Sequence, residues 1–320
     1  MHPMQFAALV VDCFREARDR KLFWVMTGIS VLIAGGMACI SFDEHGLSVL
    51  FGMWEIKDPI LSTQNPHLPA LIGAILTKYI GDAYIGWIGI ILALIATAGV
   101  FPTLLQAGTI DVVLSKPMSR PMIFLGKYLG SMVFVTVQAA IFVVLTFLVV
   151  GLRWGYWSWA YLWCIPLIVA LFSYVFAFSA LFGVITRNAM ASLLLAILAW
   201  IAIFVPQMAH KTLLSLPAMG VEVDQKWVRL SVIAKTLVPK TSDITYIAGN
   251  LIGAAAASEL GPTPEKRPEK PGLFYPDPQK LAKAEHELSR VNPVTSIGSS
   301  LLFEAVIVLI AMWKFTRRDF

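Results

Sequence analysis

Glu304 and Gln138 are the two residues most able to do chemistry, because each lies inside a long apolar run where a polar side chain is expensive to keep. Glu304 interrupts the run Val291–Trp313, about a third of the way in from one end. Gln138 lies near the middle of the uncharged run Tyr128–Leu152. A carboxyl in such a place can bind a cationic group of a cargo or carry protons. It can equally be a neutral or water-facing group. Gln138 can bridge two helices by hydrogen bonding or touch a cargo. Both are therefore candidates for a translocation pathway.

A second stretch concentrates polar chemistry between two apolar runs: GTIDVVLSKPMSRPMIFLGKYLG, Gly108 to Gly130. Asp111 and Lys116 flank Val112, Val113 and Leu114, which makes a short amphipathic piece. Pro117 stops it, since the residue before a proline is pushed out of helical geometry. Ser119 is placed to cap a new helix with its side chain, and Pro121 fits that helix's first turn. Gly126 and Gly130, four apart, let another helix approach closely. Two readings follow: a connecting hairpin with basic anchors (Arg120, Lys127), or a docking surface for a cytoplasmic partner.

Several chemistries lack their residues. No G-x-x-x-x-G-K-[ST] phosphate loop occurs; Gly126-Lys127 lacks both the earlier glycine and the following hydroxyl. No H-E-x-x-H or G-x-S-x-G is present, so a membrane enzyme is disfavoured. Cys13, Cys39 and Cys164 show no zinc-type spacing with the five scattered histidines.

The elements that must hold these residues are membrane helices. Of 320 residues, 58% are hydrophobic and only 14% charged, against roughly a quarter charged in soluble domains. Charge-free runs cover Leu22–Phe42, Ala83–Ile110, Tyr128–Leu152, Trp154–Thr186 and Asn188–Ala209, and Val291–Trp313 carries only Glu304. About 20 helical residues cross a hydrocarbon core of ~30 Å. The expected class is an all-α polytopic membrane protein, with spans at 22–42, 84–105, 128–152, 160–186, 188–209 and 295–313. The first span lies behind a charged segment and is longer than a signal-peptide core. Residues 1–21 carry apolar side chains at helical spacing (Phe6, Leu9, Val10, Cys13, Phe14, Ala17), which suits an interface helix.

Lys and Arg set the expected orientation. Eleven lie in the N-terminal segment, the 106–127 loop, the loop after span four and the C-terminus; three lie in the opposite short loops. Both termini are then cytoplasmic, in a cell (inner or cytoplasmic) membrane. The basic pI of about 9.1 reports topology and the lipid bilayer, not nucleic acid. Residues 210–294 form an external segment whose 244–258 part reads as a surface or partly inserted helix. Six prolines fall in 258–279, and a short helix over 280–291 ends at Asn292-Pro293. In the first external segment, Leu47–Ile56 reads as one strand and Pro69–Ile80 as a short surface helix. Trp154, Tyr156, Trp157, Trp159 and Tyr161 read as an aromatic belt.

The Gly108–Gly130 pattern resembles the signature of ABC-2 type transporter permeases. The six spans, the interface helix, the external segment before the last span and the ending Trp-Lys-Phe-Thr-Arg-Arg-Asp-Phe agree with it. The resemblance covers the chain as one ABC-2 type transmembrane domain. It implies that 106–127 is a coupling region on a separate cytoplasmic ATPase, with Thr109, Asp111, Lys116, Pro117, Ser119, Arg120 and Lys127 as coupling residues. It implies no cofactor in this chain, ATP and Mg on the partner ATPase, and a dimer with a second permease copy or homologue. The implied function is ATP-driven transport, export in direction. The alternative is a non-transporting scaffold of the same fold, acting through its external segment.

Overall fold

The computed structural model describes Val11, Arg15 and residues 21–65, 68–76, 84, 86–106, 119–236, 238–257 and 292–317. Apart from Val11, Arg15 and Lys21, the expected interface helix 1–21 lies outside the described residues, as do most of the coupling region and the helix expected over 280–291.

Six helices are long and apolar enough to cross a membrane: Lys21–Ala38, Gly86–Leu104, Arg120–Trp154, Trp159–Thr186, Ala189–Met219 and Pro293–Thr316. They are called spans one to six, and the all-α polytopic class holds. Span one is α1 (Lys21–Ala38). It leads into a small sheet of β1 (Ile40–Asp43), β2 (Gly46–Val49) and β3 (Trp54–Lys57), and then α2 (Leu68–Ile75). Span two contains α3 (Gly89–Thr97) and α4 (Val100–Leu104). Span three is α5 (Arg120–Trp154), span four contains α6 (Cys164–Thr186), and span five contains α7 (Ala189–Ser215). Between spans five and six lie α8 (Gln225–Thr236) and α9 (Thr241–Ala257). Span six is α10 (Pro293–Thr316).

The sheet corrects the reading of Leu47–Ile56 as one strand. Two antiparallel pairs run Ile40↔Val49 to Asp43↔Gly46 and Gly46↔Lys57 to Val49↔Trp54. The turn between β2 and β3 holds Leu50 and Phe51 at φ 53° and 58°. Left-handed backbone is uncommon for such residues, which is why the sequence hid the turn. Gly46 is obligatory: its φ is 141°, and a Cβ there would run into the Ile56 carbonyl. The Ser41 and Ser48 hydroxyls bond across β1 and β2 at 2.6 Å.

Span four is the centre of the bundle, with 67% of its most apolar window buried, against 22%, 22% and 17% in spans one, five and six. Apolar side chains gain little from leaving lipid for protein, so packing and hydrogen bonds must hold the spans together. Aromatic rings supply much of the packing. Phe101 (span two), Phe124 and Tyr128 (span three), Phe172 and Phe176 (span four) and Phe315 (span six) form one chain, with centroids 4.8 to 6.4 Å apart. Such pairs contribute about 0.5–1.5 kcal/mol each. Gly183 lets α4 approach span four, since a Cβ there would sit 3.1 Å from Pro102 Cδ.

Two helix boundaries differ in kind from the expectation. Ser119 does occupy the N-cap of α5, but its side chain accepts no capping bond; its carbonyl accepts from Met122 N (2.9 Å) and Ile123 N (3.1 Å). Asn292-Pro293, expected to stop a helix, starts one: Asn292 Oδ1 accepts from Val294 N at 3.0 Å, with Pro293 in the first turn of α10.

The expected aromatic belt divides. Trp157 and Trp159 are exposed, whereas Trp154, Tyr156 and Tyr161 are buried. Trp154 Nε1 donates to Ile40 O (2.9 Å), and Arg153 Nε donates to Ala38 O (2.9 Å). The C-terminal end of span three thus clamps the end of span one and the start of the sheet.

Candidate functional site

Glu304 is the twelfth of the 24 residues of α10. It sits at mid-helix, roughly 17 Å from either end, which corrects the shallower placement. Its two carboxyl oxygens bond to two different spans. Tyr128 Oη of span three lies 2.8 Å from Glu304 Oε1, and Ser173 Oγ of span four lies 2.8 Å from Oε2. Each hydroxyl also reaches a main-chain carbonyl: Tyr128 that of Ser173 (3.2 Å), Ser173 that of Ala170 (2.9 Å). Tyr128 and Ser173 are buried and Glu304 is half-buried. Three spans therefore meet at one carboxyl group. In lipid, such a group needs partners, and the two hydroxyls supply them.

The ring of Tyr128 is held separately from its hydroxyl. It lies against Phe176 (5.2 Å) and Phe124 (6.4 Å). Gly126 and Gly130 flank it and are buried.

Span three is joined to span six at a second level. Arg120, in its first turn, donates from Nη1 to Thr316 O at 3.2 Å. That carbonyl is among the last of α10, where a helix presents unsatisfied acceptors and partial negative charge. One turn on, Phe124 packs on Phe315 (5.8 Å). Lys127 is half-buried. Of the residues with a coupling role implied, Ser119, Arg120 and Lys127 are described and lie together at the start of span three. Thr109, Asp111, Lys116 and Pro117 lie outside the described residues.

Gln138 belongs to a different network. Its Nε2 donates to Phe23 O (3.1 Å) and Thr27 Oγ1 (3.3 Å) of span one. It is ten residues beyond Tyr128, which turns it about 80° around the helix. The structure brings Gln138 to span one and Glu304 to spans three and four; it does not bring the two together.

Sequence reasoning missed Tyr128, Ser173 and the anchor at the N-terminal end of span six. Ser296, Ser300 and Glu304 recur every fourth residue and share one face of α10, a legible signal. Ser296 Oγ donates to Asp243 Oδ2 (2.9 Å), and Asp243 pairs with Lys235 at 2.8 Å. Ser300 Oγ accepts from Lys240 N at 2.9 Å. Gln207 of span five completes the anchor, donating to Pro239 O (2.9 Å) and accepting from Ser242 N (2.6 Å). The helix expected over 244–258 is α9, with Ile244, Ile247 and Ala248 buried in the core. Among the described residues, no three His, Cys, Asp or Glu side chains cluster as a metal site.

A family model described as ABC-2 family transporter protein matches residues 10–320. The chain belongs to this family. A search among curated proteins found no match. Membership in the ABC-2 family makes the six helices the membrane part of an ABC transporter, and the protein a multi-pass membrane protein.

Proposed function

We propose that this chain is the permease subunit of an ABC-2 exporter, moving its cargo with ATP hydrolysed on separate cytoplasmic ATPase subunits. The observation that supports this most is the double attachment of span three to span six, at Arg120–Thr316 and at Tyr128–Glu304. Span three begins at Arg120, inside the coupling region 106–127. A displacement of that region by a bound ATPase would enter the membrane at Ser119 and Arg120. Arg120 would draw the end of span six with it, and Tyr128 would hold the middle of span six in step. Spans three and six would then move as one piece, carrying span one, which Gln138 holds to span three, against spans two and five.

In this reading the termini face the cytoplasm and residues 210–294 face outside. Thr109, Asp111, Lys116, Pro117, Ser119, Arg120 and Lys127 contribute to the ATPase-docking surface. Spans one, five and six leave broad apolar faces outward, including Trp24, Leu32, Leu194, Leu198 and Leu302. These faces suit lipid and a second permease copy. Glu304 and Tyr128 lie within the moving pair, facing Ser173 of span four, and form the polar part of the pathway. Gln138 holds span one to span three.

The test uses the chain copurified with its ATPase. Charge reversal at both Asp111 and Arg120 is expected to weaken assembly or uncouple ATP hydrolysis from transport. Unchanged copurification together with unchanged transport would overturn the docking role.

A further inference from the structure

At their cytoplasmic ends, spans four and six part to leave a cleft of about 260 Å³ lined by Val184, Ile185, Trp313, Lys314 and Arg317. Its two walls differ in chemistry. Span four contributes the exposed Ile185, with Val184 buried beneath it, just before the chain turns away at Arg187 in left-handed geometry, φ 53°. Span six contributes an indole and two cations. The Arg317 guanidinium lies 4.7 Å from the Trp313 ring centroid, which holds it beside the cleft.

The cations are not consumed locally. Among the described residues, neither Lys314 nor Arg317 forms an ion pair. The nearby end carbonyls of α10 have other donors. Thr316 O is taken by Arg120, and Trp313 O accepts from Arg317 N (3.1 Å) and Thr316 Oγ1 (2.9 Å).

An apolar wall, an indole at the helix end and two unpaired cations on one rim match an amphiphile with a negative head. A soluble anion has no use for the aliphatic wall, and a neutral lipid has none for the cations. We infer that this cleft binds one anionic phospholipid of the cytoplasmic leaflet, its phosphate against Lys314 and Arg317 and its glycerol and first acyl carbons against the exposed Ile185 and the Trp313 indole. Such basic clefts between spans are where acidic headgroups are retained. The inference rests on the membrane-spanning fold and on the orientation proposed above, and not on transport, so it stands or falls apart from the coupling mechanism.

The experiment is native mass spectrometry of the full chain, released from bilayers of equal phosphatidylglycerol and phosphatidylcholine. A basic side chain near a membrane surface favours anionic lipid about fivefold, so two predict roughly a thirtyfold preference for one retained phosphatidylglycerol. Lys314→Gln with Arg317→Gln should bring the ratio to about one. Ile185→Trp, which fills the cleft and leaves both charges in place, should remove the retained lipid. Three results would overturn the inference: no preference in the parent chain, a preference that survives the double variant, or one that survives Ile185→Trp, which would mean general surface attraction. Displacement of the lipid by millimolar inorganic phosphate alone would assign the cleft to a soluble anion and overturn it too.

Discussion

Replacing Tyr128 with Phe removes one oxygen from the point where spans three, four and six meet. The substitution is clean because the ring's contacts with Phe176 and Phe124 need no hydroxyl. What is lost is the 2.8 Å bond to Glu304 and the weaker 3.2 Å alternative to Ser173 O. Interhelical hydrogen bonds within membranes average about 0.6 kcal/mol and reach about 1.7. A short, enclosed bond to a carboxyl belongs near the top of that range, about 1.5 kcal/mol, which is roughly a tenfold change in the unfolding equilibrium. The assay is reversible unfolding of the full chain in bicelles, run as a double-mutant cycle of Tyr128→Phe and Glu304→Leu. The cycle should return a coupling of about 1–1.5 kcal/mol, because once Glu304 is gone the hydroxyl has little left to lose. A coupling within the roughly 0.3–0.5 kcal/mol scatter of independent sites would refute the reasoning. In the complex with its ATPase, Tyr128→Phe should leave ATP hydrolysis in place and lower transport per ATP.

Arg120→Gln should raise hydrogen exchange of the amides of 313–317 about two- to fivefold, as expected for removing a cation from a helix C-terminus; unchanged exchange would show that the contact with Thr316 O carries no stability. Gly46→Ala should abolish protection of the β2 and β3 amides, because its Cβ has no space beside the Ile56 backbone; a preserved sheet would contradict the register. Gln207→Leu strips Pro239 O and Ser242 N of a buried partner at a cost of about 1–3 kcal/mol, and proteolysis near 237–241 should quicken. Deleting 260–278 should leave transport intact if the chain is a permease; loss of an assembled partner on deletion, from a parent complex that moves no cargo, would favour the scaffold reading.

How far the sequence could be read depends on whether a feature is local. The six spans were legible because crossing lipid demands about 20 consecutive apolar residues, and a one-dimensional run carries that demand. The start of span three was legible from Pro121, yet Ser119 caps with its carbonyl and not its side chain, a choice set by backbone geometry. The β2–β3 turn was hidden because Leu50 and Phe51 occupy positions where glycine would have announced it.

Composition and order alone determined that the chain must be a helical membrane protein, which side its short loops favour, and that Glu304 is a costly residue in need of a reason. The partners of Glu304 were beyond reach, since Tyr128 is 176 positions away and Ser173 is 131. Nothing in either neighbourhood marks it as a carboxyl's donor. Only the packing of span four between spans three and six decided that one carboxyl would join all three. The same packing put the Arg120 cation on the last carbonyls of span six, separated Gln138 from Glu304, and opened the cleft beside Lys314 and Arg317. Hydrophobic length is a property of a segment, and hydrogen bonds between segments exist only once the segments have been brought together.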